Sequence, residues 1–148
     1  MSLDYMKARF MAVEHHCEQK YGELDYFSYH LIGVVGSMER CHLDDQYLIV
    51  GYLHDILEDT DCTEDEILKS FNQEVLDAVI ALTKGYYGEE SRRDYLARVA
   101  KNKIATMVKY HDISFNMHNC LKEGRTAKAL RYTADLQKLI EFSKEETN

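Results

Sequence analysis

Four imidazole or carboxylate side chains stand close together in an otherwise apolar stretch of the sequence. His54, Asp55, Glu58 and Asp59 occupy relative positions 0, 1, 4 and 5. On a helix, positions four apart lie one turn above each other, so these side chains would share one edge. Burying ionisable groups beside a core is costly unless a cation or hydrogen bonds compensate for the lost water. The spacing therefore indicates a site for a divalent metal ion.

Two distant segments carry side chains with matching chemistry. His30 lies within an apolar run, and Asp112 and Asn116 are four positions apart, on one face of a predicted helix. Together with His54 and Asp55, His30 and Asp112 would form a mixed nitrogen and oxygen site. Such a ligand set suits manganese, iron or zinc better than calcium.

A cation at this site would activate a water molecule and polarise a phosphate oxygen. Glu58 or Asp59, one turn beyond His54, could orient that water or accept its proton. Each residue taken alone also has an ordinary explanation. A mid-helix histidine such as His30 is more often a hydrogen-bonded core residue, and Glu58, Asp59 and Thr60 could simply end a helix. Only their combination favours catalysis.

Composition restricts the class of protein. The chain has 148 residues, 45% of them hydrophobic, with 26 acidic and 18 basic residues and a formal net charge of −8. This length predicts a single domain over residues 1–148. The acidic excess argues against nucleic acid or an anionic membrane as the main partner. We found no bilayer-length apolar stretch and no secretory signal, so a cytoplasmic protein is expected.

The predicted elements are all helices. The sequence contains no proline and only seven glycines, which favours long helices joined by short connections. Period-2 alternation is not evident, so no strand is predicted. Leu3, Met6, Phe10 and Val13 form the predicted core face of the first helix. Helices are predicted over residues 3–20, 26–38, 44–58, 63–71, 72–82, 91–120 and 127–142, giving an all-α fold.

The cysteine spacing and one glycine-bracketed loop give two further predictions. The four cysteines form no C-x-x-C pair, which favours reduced thiols over a disulfide framework or a zinc knuckle. Residues 85–91 form the one long predicted loop, in which Tyr86 and Tyr87 could cover a ligand.

The motifs follow an order that is typical of one family. An H-D-x-x-E-D-T motif occupies residues 54–60, T-x-x-x-I occupies 63–67, and V-x-x-L-T-K occupies 79–84. A K-x-x-D-x-x-x-N-M motif occupies residues 109–117. With His30, this set resembles the HD superfamily of metal-dependent phosphohydrolases over about residues 12–140. It is most similar to the hydrolase domains of RelA/SpoT-type proteins and their small stand-alone relatives.

The resemblance implies an HD-domain helical bundle that removes pyrophosphate from guanosine tetra- and pentaphosphate, (p)ppGpp. It implies that the metal ligands are His30, His54, Asp55 and Asp112. The metal in this branch is usually manganese, with iron, zinc, nickel or magnesium as alternatives. It also implies that Glu58 and Asp59 position or activate the attacking water.

The resemblance further assigns substrate contacts. Asn116 would contact the sugar or a phosphate, and Tyr132 would lie near the nucleotide. The family carries H-x-x-Q-x-R before His30; here His16, Gln19 and Lys20 fit this segment, but Tyr21 replaces the arginine that stacks on the purine. An aromatic ring can also stack, although without the positive charge. The cations predicted to contact phosphates are Lys20, Lys84, Lys109 and Arg131.

Three functions are compatible with these residues. The first is a (p)ppGpp 3′-pyrophosphohydrolase, and the second is an HD hydrolase of another nucleotide, such as a nucleoside monophosphate or a cyclic species. The third is a non-catalytic nucleotide-sensing domain, against which the intact Glu58 and Asp59 argue. The predicted partner is a small nucleotide, with neither nucleic acid nor membrane, and a homodimer is left open.

Overall fold

Helices dominate the computed structural model, which describes residues 1–147. The all-α prediction is confirmed, whereas the assignment of residues 1–148 to one domain stays a prediction. None of the helices in residues 1–147 combines the length and hydrophobicity needed to cross a bilayer. In chain order the elements are α1 (Leu3–His16), β1 (Lys20–Tyr21), β2 (Leu24–Asp25), a π-helical turn (Tyr26–Leu31), α2 (Ile32–Arg40), α3 (Asp45–Leu53), α4 (Ile56–Asp59), α5 (Glu64–Ser70), α6 (Gln73–Leu82), α7 (Arg92–Val99), α8 (Lys103–Lys122) and α9 (Thr126–Glu146).

Helix ends follow the sequence where a cap defines them locally. Thr63 caps α5 in a capping box with Glu66, as the sequence predicts. The Asn72 side chain accepts a hydrogen bond from the Val75 amide and begins α6. These ends are predictable because both partners lie within four residues of each other.

Two predicted helices are broken, and strands appear where none is expected. The helix predicted over 44–58 stops at Leu53, because Asp55 (φ −107°, ψ 3°) leaves the helical region before α4 begins. The helix predicted over 91–120 is divided in two at Asn102, whose side chain caps α8. The strands β1 and β2 form a two-residue antiparallel hairpin between α1 and the π-helical turn.

The predicted core face of α1 is wrong except at Met6, which is half-buried against the core. Leu3, Phe10 and Val13 are 73%, 63% and 43% exposed. The helix instead buries Tyr5, Ala8 and Ala12, and it ends at His16 rather than near residue 20. The small alanine side chains allow close approach of α1 to its main neighbour, α3. Close packing of small side chains thus outweighs the larger apolar stripe in setting the orientation of the helix.

Three elements that are far apart in sequence meet where the candidate ligands lie. The π-helical turn contributes His30, the break between α3 and α4 contributes His54 and Asp55, and α8 contributes Asp112. The α2 and α8 helices pack closely at Gly33, where an added Cβ would lie 2.3 Å from a ring carbon of Phe115. Tight packing of these helices therefore fixes the spacing of the site.

Candidate functional site

The four predicted metal ligands come together in the structure. His30 Nε2 lies 3.0 Å from Asp112 Oδ1. His54 Nε2 lies 3.3 Å from Asp55 Oδ2 and 3.5 Å from Asp112 Oδ1. One donor atom each from His30, His54 and Asp55 lies within 4.8 Å of the other two. Each of the four residues thus lies within 3.5 Å of at least one other.

The His54 ring is oriented for metal binding by the main chain. Its Nδ1 lies 2.6 Å from the Gly51 carbonyl oxygen, to which it donates a hydrogen bond. This bond leaves Nε2 as the free nitrogen, a common arrangement for metal-bound histidine. His54 is 1% exposed, and within residues 1–147 its Nε2 makes no hydrogen bond. A buried nitrogen without a donor or acceptor partner, beside two carboxylates, fits a first-row divalent cation.

The carboxylates of the site are held in their charged form. Burial alone raises the pKa of Asp112, but Lys109 and the neighbouring histidines hold that pKa well below its usual value. The Lys109 ammonium lies 2.9 Å from Asp112 Oδ2. Burial likewise opposes the charge of Lys109, and Asp112 raises the Lys109 pKa in return. Asp112 therefore remains an anionic oxygen donor inside the fold.

A tyrosine that the sequence analysis did not identify supports Asp55. The Tyr26 hydroxyl donates a 2.5 Å hydrogen bond to Asp55 Oδ2. Burial, followed by the charge of Asp55, raises the pKa of this hydroxyl far above its usual value, so it stays a donor. The Tyr26 ring also packs against the imidazoles of His16 and His30. No motif of the sequence indicates this contact, because it joins residues 29 positions apart.

A cavity of about 680 Å³ opens beside the four ligands. It is lined by His30, Asp55 and Asp112 and by five of the predicted substrate contacts, Lys20, Tyr21, Lys109, Asn116 and Tyr132. Lys84 does not line this cavity, and Arg131 lines an adjoining groove that shares Arg92, Lys128 and Tyr132 with it. The volume lies within the range of small-molecule sites.

Tyr21 is part of a hydrogen-bonded chain that leads to the ligands. Its hydroxyl donates to Asn116 Oδ1 at 2.7 Å, and Asn116 Nδ2 lies 3.4 Å from Asp112 Oδ1. The Tyr21 ring stacks on His30, with ring centroids 5.0 Å apart and planes 12° from parallel. Tyr21 therefore joins the wall of the cavity to the ligand cluster.

Three cations of the cavity wall were missed by the sequence analysis. Arg92 begins α7, Arg125 precedes α9, and Lys128 lies in the first turn of α9. Arg92 pairs with Asp135 at 3.0 Å, and Arg125 pairs with Glu123 at 2.6 Å. Packing of α7 and α8 against α9 brings these three cations to one cavity wall. Their spacing in the sequence therefore does not indicate that they lie close together.

Glu58 and Asp59 lie beside the cavity rather than in its wall. Asp59 Oδ2 accepts a 2.9 Å hydrogen bond from Gln19, which lines the cavity. Gln19 also lies 2.7 Å from His16 Nδ1. Glu58 Oε1 accepts a hydrogen bond from the Lys84 amide, and partial desolvation raises the Glu58 pKa despite this bond. The two carboxylates are thus fixed by different neighbours.

The tyrosines predicted as a flap lie elsewhere. Tyr86 donates a hydrogen bond to Glu64, and Tyr87 is 75% exposed with Arg98 over its ring. Neither lines the cavity.

The chain is similar to known proteins over most of its length. Residues 8–110 match a family model described as HD domain. A guanosine-3′,5′-bis(diphosphate) 3′-pyrophosphohydrolase of Aquifex aeolicus is 33% identical over 141 residues, covering 90% of this chain and 20% of the relative. The "GTP pyrophosphokinase rsh" of Brucella ovis is 27% identical over 141 residues, covering 88% of this chain and 19% of the relative. The chain therefore spans about a fifth of the length of these curated relatives.

A solved structure shares the fold. It belongs to a metazoan ortholog of SpoT described as hydrolysing ppGpp, and it superposes with a TM-score of 0.77 at 23% identity. The match covers 98% of this chain and 96% of that chain. The whole arrangement of helices is accordingly a known one.

Proposed function

The chain belongs to the HD domain family, and we propose that it is a metal-dependent phosphohydrolase that removes pyrophosphate from a guanosine 3′-pyrophosphate of the (p)ppGpp type. One observation carries this proposal: His30, His54, Asp55 and Asp112 converge beside a cavity that is also lined by cations. The ppGpp-hydrolysing activities for which the Aquifex aeolicus relative and the structural neighbour are named support the choice of substrate.

The proposed ligands of the metal are His30, His54, Asp55 and Asp112. Manganese is the proposed cation, and iron, zinc, nickel and magnesium are its alternatives. Bound there, a divalent cation supplies Lewis-acid stabilisation of phosphate charge and makes water a better nucleophile. The unpartnered Nε2 of His54 and the ionised Asp112 support this assignment.

The remaining steps belong to the chain's own carboxylates. Asp59, held by Gln19 at the cavity edge, would orient the attacking water. Glu58 would accept its proton, since its raised pKa makes it a better base than an ordinary glutamate. Buried Lys109 would hold Asp112 in place throughout, because it stays charged beside it.

The cavity wall suits a phosphorylated nucleotide. Lys20, Arg92, Arg125 and Lys128 supply positive charge to a protein that is acidic overall, and such groups form strong hydrogen bonds to phosphate. Tyr132 and the hydroxyl-anchored Tyr21 offer aromatic surfaces to a base or sugar. Asn116 would contact the ribose or a phosphate.

A different nucleotide is the second candidate substrate. Tyr21 stands where hydrolases of the resembling family carry a purine-stacking arginine, and its ring stacks on His30. If guanine cannot stack on Tyr21, the cavity would instead select another nucleotide, such as a nucleoside monophosphate or a cyclic species. A nucleotide-sensing role without catalysis is the third candidate.

We propose that this activity belongs to the cytoplasm, where thiols stay reduced. The four cysteines are free, two of them exposed. A homodimer stays a prediction.

The test is hydrolysis of a nucleotide panel with manganese, with pyrophosphate release as the readout. We expect (p)ppGpp to be turned over and Asp59→Asn to slow turnover far more than it weakens binding. Asp65→Asn, an exposed carboxylate in the first turn of α5, is the matched control and should match wild type. Equal rates for wild type and Asp59→Asn would disprove the catalytic assignment. Binding without turnover of any nucleotide would favour the sensor.

A further inference from the structure

A second cluster of metal-binding side chains lies outside the cavity. His15 is in the last turn of α1, Cys62 is in the loop after α4, and Glu66 is in the first turn of α5. One donor atom from each lies within 4.8 Å of the other two. None of the three lines the cavity described above.

The donors of this cluster are already oriented toward each other. His15 Nε2 lies 3.6 Å from Glu66 Oε1, while His15 Nδ1 lies 3.3 Å from Asp61 Oδ1. A carboxylate on one imidazole nitrogen directs the other nitrogen to a metal, as around zinc in many proteins. Asp61 therefore acts as the orienting partner and leaves Nε2 available.

Glu66 has one oxygen free for the same purpose. Its Oε2 accepts the 2.7 Å hydrogen bond from the Thr63 amide in the capping box. Its Oε1 faces His15. The cap therefore holds the carboxylate in one orientation without using both oxygens.

Cys62 adds a sulfur donor that the cavity ligands lack. Its side chain is buried, and its Sγ lies 3.7 Å from the carbonyl oxygen of the adjacent Thr63 and close to the Glu66 carboxylate. Ligand atoms bound at about 2.0–2.3 Å in a tetrahedron stand about 3.3–3.7 Å apart. The observed 3.6 Å between His15 and Glu66 lies in that range.

We infer that His15, Cys62 and Glu66 bind a zinc-type divalent cation, with Asp61 orienting His15 and a fourth position open to water. Nitrogen, sulfur and oxygen ligands together select zinc over magnesium or calcium. The ion would join the end of α1 to the loop that follows Glu58 and Asp59.

The test uses cobalt(II), which replaces zinc and reports a thiolate ligand through an intense near-ultraviolet charge-transfer band. Wild-type protein should develop this band and saturate at one thiolate-bound cobalt per chain. Cys62→Ser should lose the band, and His15→Gln and Glu66→Gln should weaken cobalt binding. Glu66→Gln is chosen because glutamine also completes a capping box, so α5 should keep its N-terminus.

The controls separate this site from the other thiols and from the cavity. Cys120→Ser removes the thiol that lines the cavity, and Cys17→Ser and Cys41→Ser remove the two exposed thiols; all three variants should keep the band. His54→Ala should keep it too, since the cavity ligands include no sulfur. Absence of the band in wild type at saturating cobalt, or its persistence in Cys62→Ser, would overturn the inference. Should Cys62→Ser fail to fold, unchanged cobalt affinity in both His15→Gln and Glu66→Gln would overturn it equally.

Discussion

Tyr26 holds one of the proposed ligands although it is not itself a ligand. Its hydroxyl donates to Asp55 Oδ2 and keeps that carboxylate turned toward the two imidazoles. Groups that orient metal ligands in this way typically contribute about 10–100-fold to metal affinity or activity. The contribution of Tyr26 can be measured separately because phenylalanine removes only the hydroxyl.

We expect Tyr26→Phe to weaken manganese binding by about 10–100-fold while the protein keeps its helical content. A metal titration followed by calorimetry, beside circular dichroism, measures both quantities. Tyr29→Phe is the matched control, because the Tyr29 hydroxyl donates to Asn119 rather than to a proposed ligand. Equal manganese affinity in the two variants would show that the hydroxyl does not orient Asp55.

Lys109 and Asp112 form a buried ion pair whose members depend on each other. Lys109→Met leaves Asp112 as a buried charge without its ammonium partner, a change that typically costs about 3–5 kcal/mol. We expect urea unfolding without metal to show a loss of this order, and manganese to restore part of it by compensating the Asp112 charge. Lys103→Met removes an exposed lysine of the same helix and should change stability little. A small loss in Lys109→Met would contradict the proposed dependence.

The break between α3 and α4 is what gives His54 and Asp55 their different directions. His54 ends the regular helix with its ring bonded to the Gly51 carbonyl, and Asp55 departs from helical geometry. In the continuous helix predicted from the sequence, adjacent side chains would diverge by about 100° around the axis. The donor atoms of both residues lie 3.3 Å apart because the chain turns between them.

Alanine substitutions at Gly33 and Gly36 would test how closely α2 must approach α8. A Cβ at Gly33 would lie 2.3 Å from Phe115, whose ring packs against His30, whereas a Cβ at Gly36 would meet only Arg40 at 3.5 Å. We expect Gly33→Ala to lose about 1–3 kcal/mol of unfolding free energy through overpacking. Gly36→Ala should gain about 0.5–1 kcal/mol through helix propensity. Chemical denaturation measures both, and similar values for the two variants would contradict tight packing at Gly33.

The molecule as a whole concentrates positive charge at one cavity despite its net charge of −8. Arg125 is part of this wall, whereas Arg131 lines only the adjoining groove. We expect Arg125→Gln to raise KM for the hydrolysed nucleotide by about 10- to 100-fold, since a hydrogen bond to a charged group contributes about 1.5–3 kcal/mol. Arg131→Gln should leave KM within about twofold. A larger effect of Arg131→Gln would mean that the nucleotide occupies the neighbouring groove.

Metal binding should also stabilise the whole fold. A ligand that binds only the native state adds about 2.7 kcal/mol at a concentration of 100 times its Kd. We expect manganese to raise Tm in wild type and a chelator to lower it again, as measured by calorimetry. His54→Ala should show little response to manganese, because the cysteine-containing cluster favours softer cations. A full manganese response in His54→Ala would place the stabilising ion elsewhere.

The sequence by itself determined the features that depend on nearby residues. The all-α class follows from the lack of proline and of period-2 alternation, and the caps at Thr63 and Asn72 follow from contacts within four residues. The residue types of His30, His54, Asp55 and Asp112, in family order, indicate a metal site from the sequence alone. These features can be predicted from the sequence because they depend on nearby residues or because metal binding restricts the residue type.

Only the tertiary structure decided the features that depend on packing between distant segments. Helix α1 buries Ala8 and Ala12 rather than Phe10. Tyr26 donates a hydrogen bond to Asp55, which lies 29 positions away. Arg92 and Arg125 also lie in one cavity wall. Their common physical cause is the close approach of helices, which depends on the shapes of both surfaces and leaves no periodic signal in either segment.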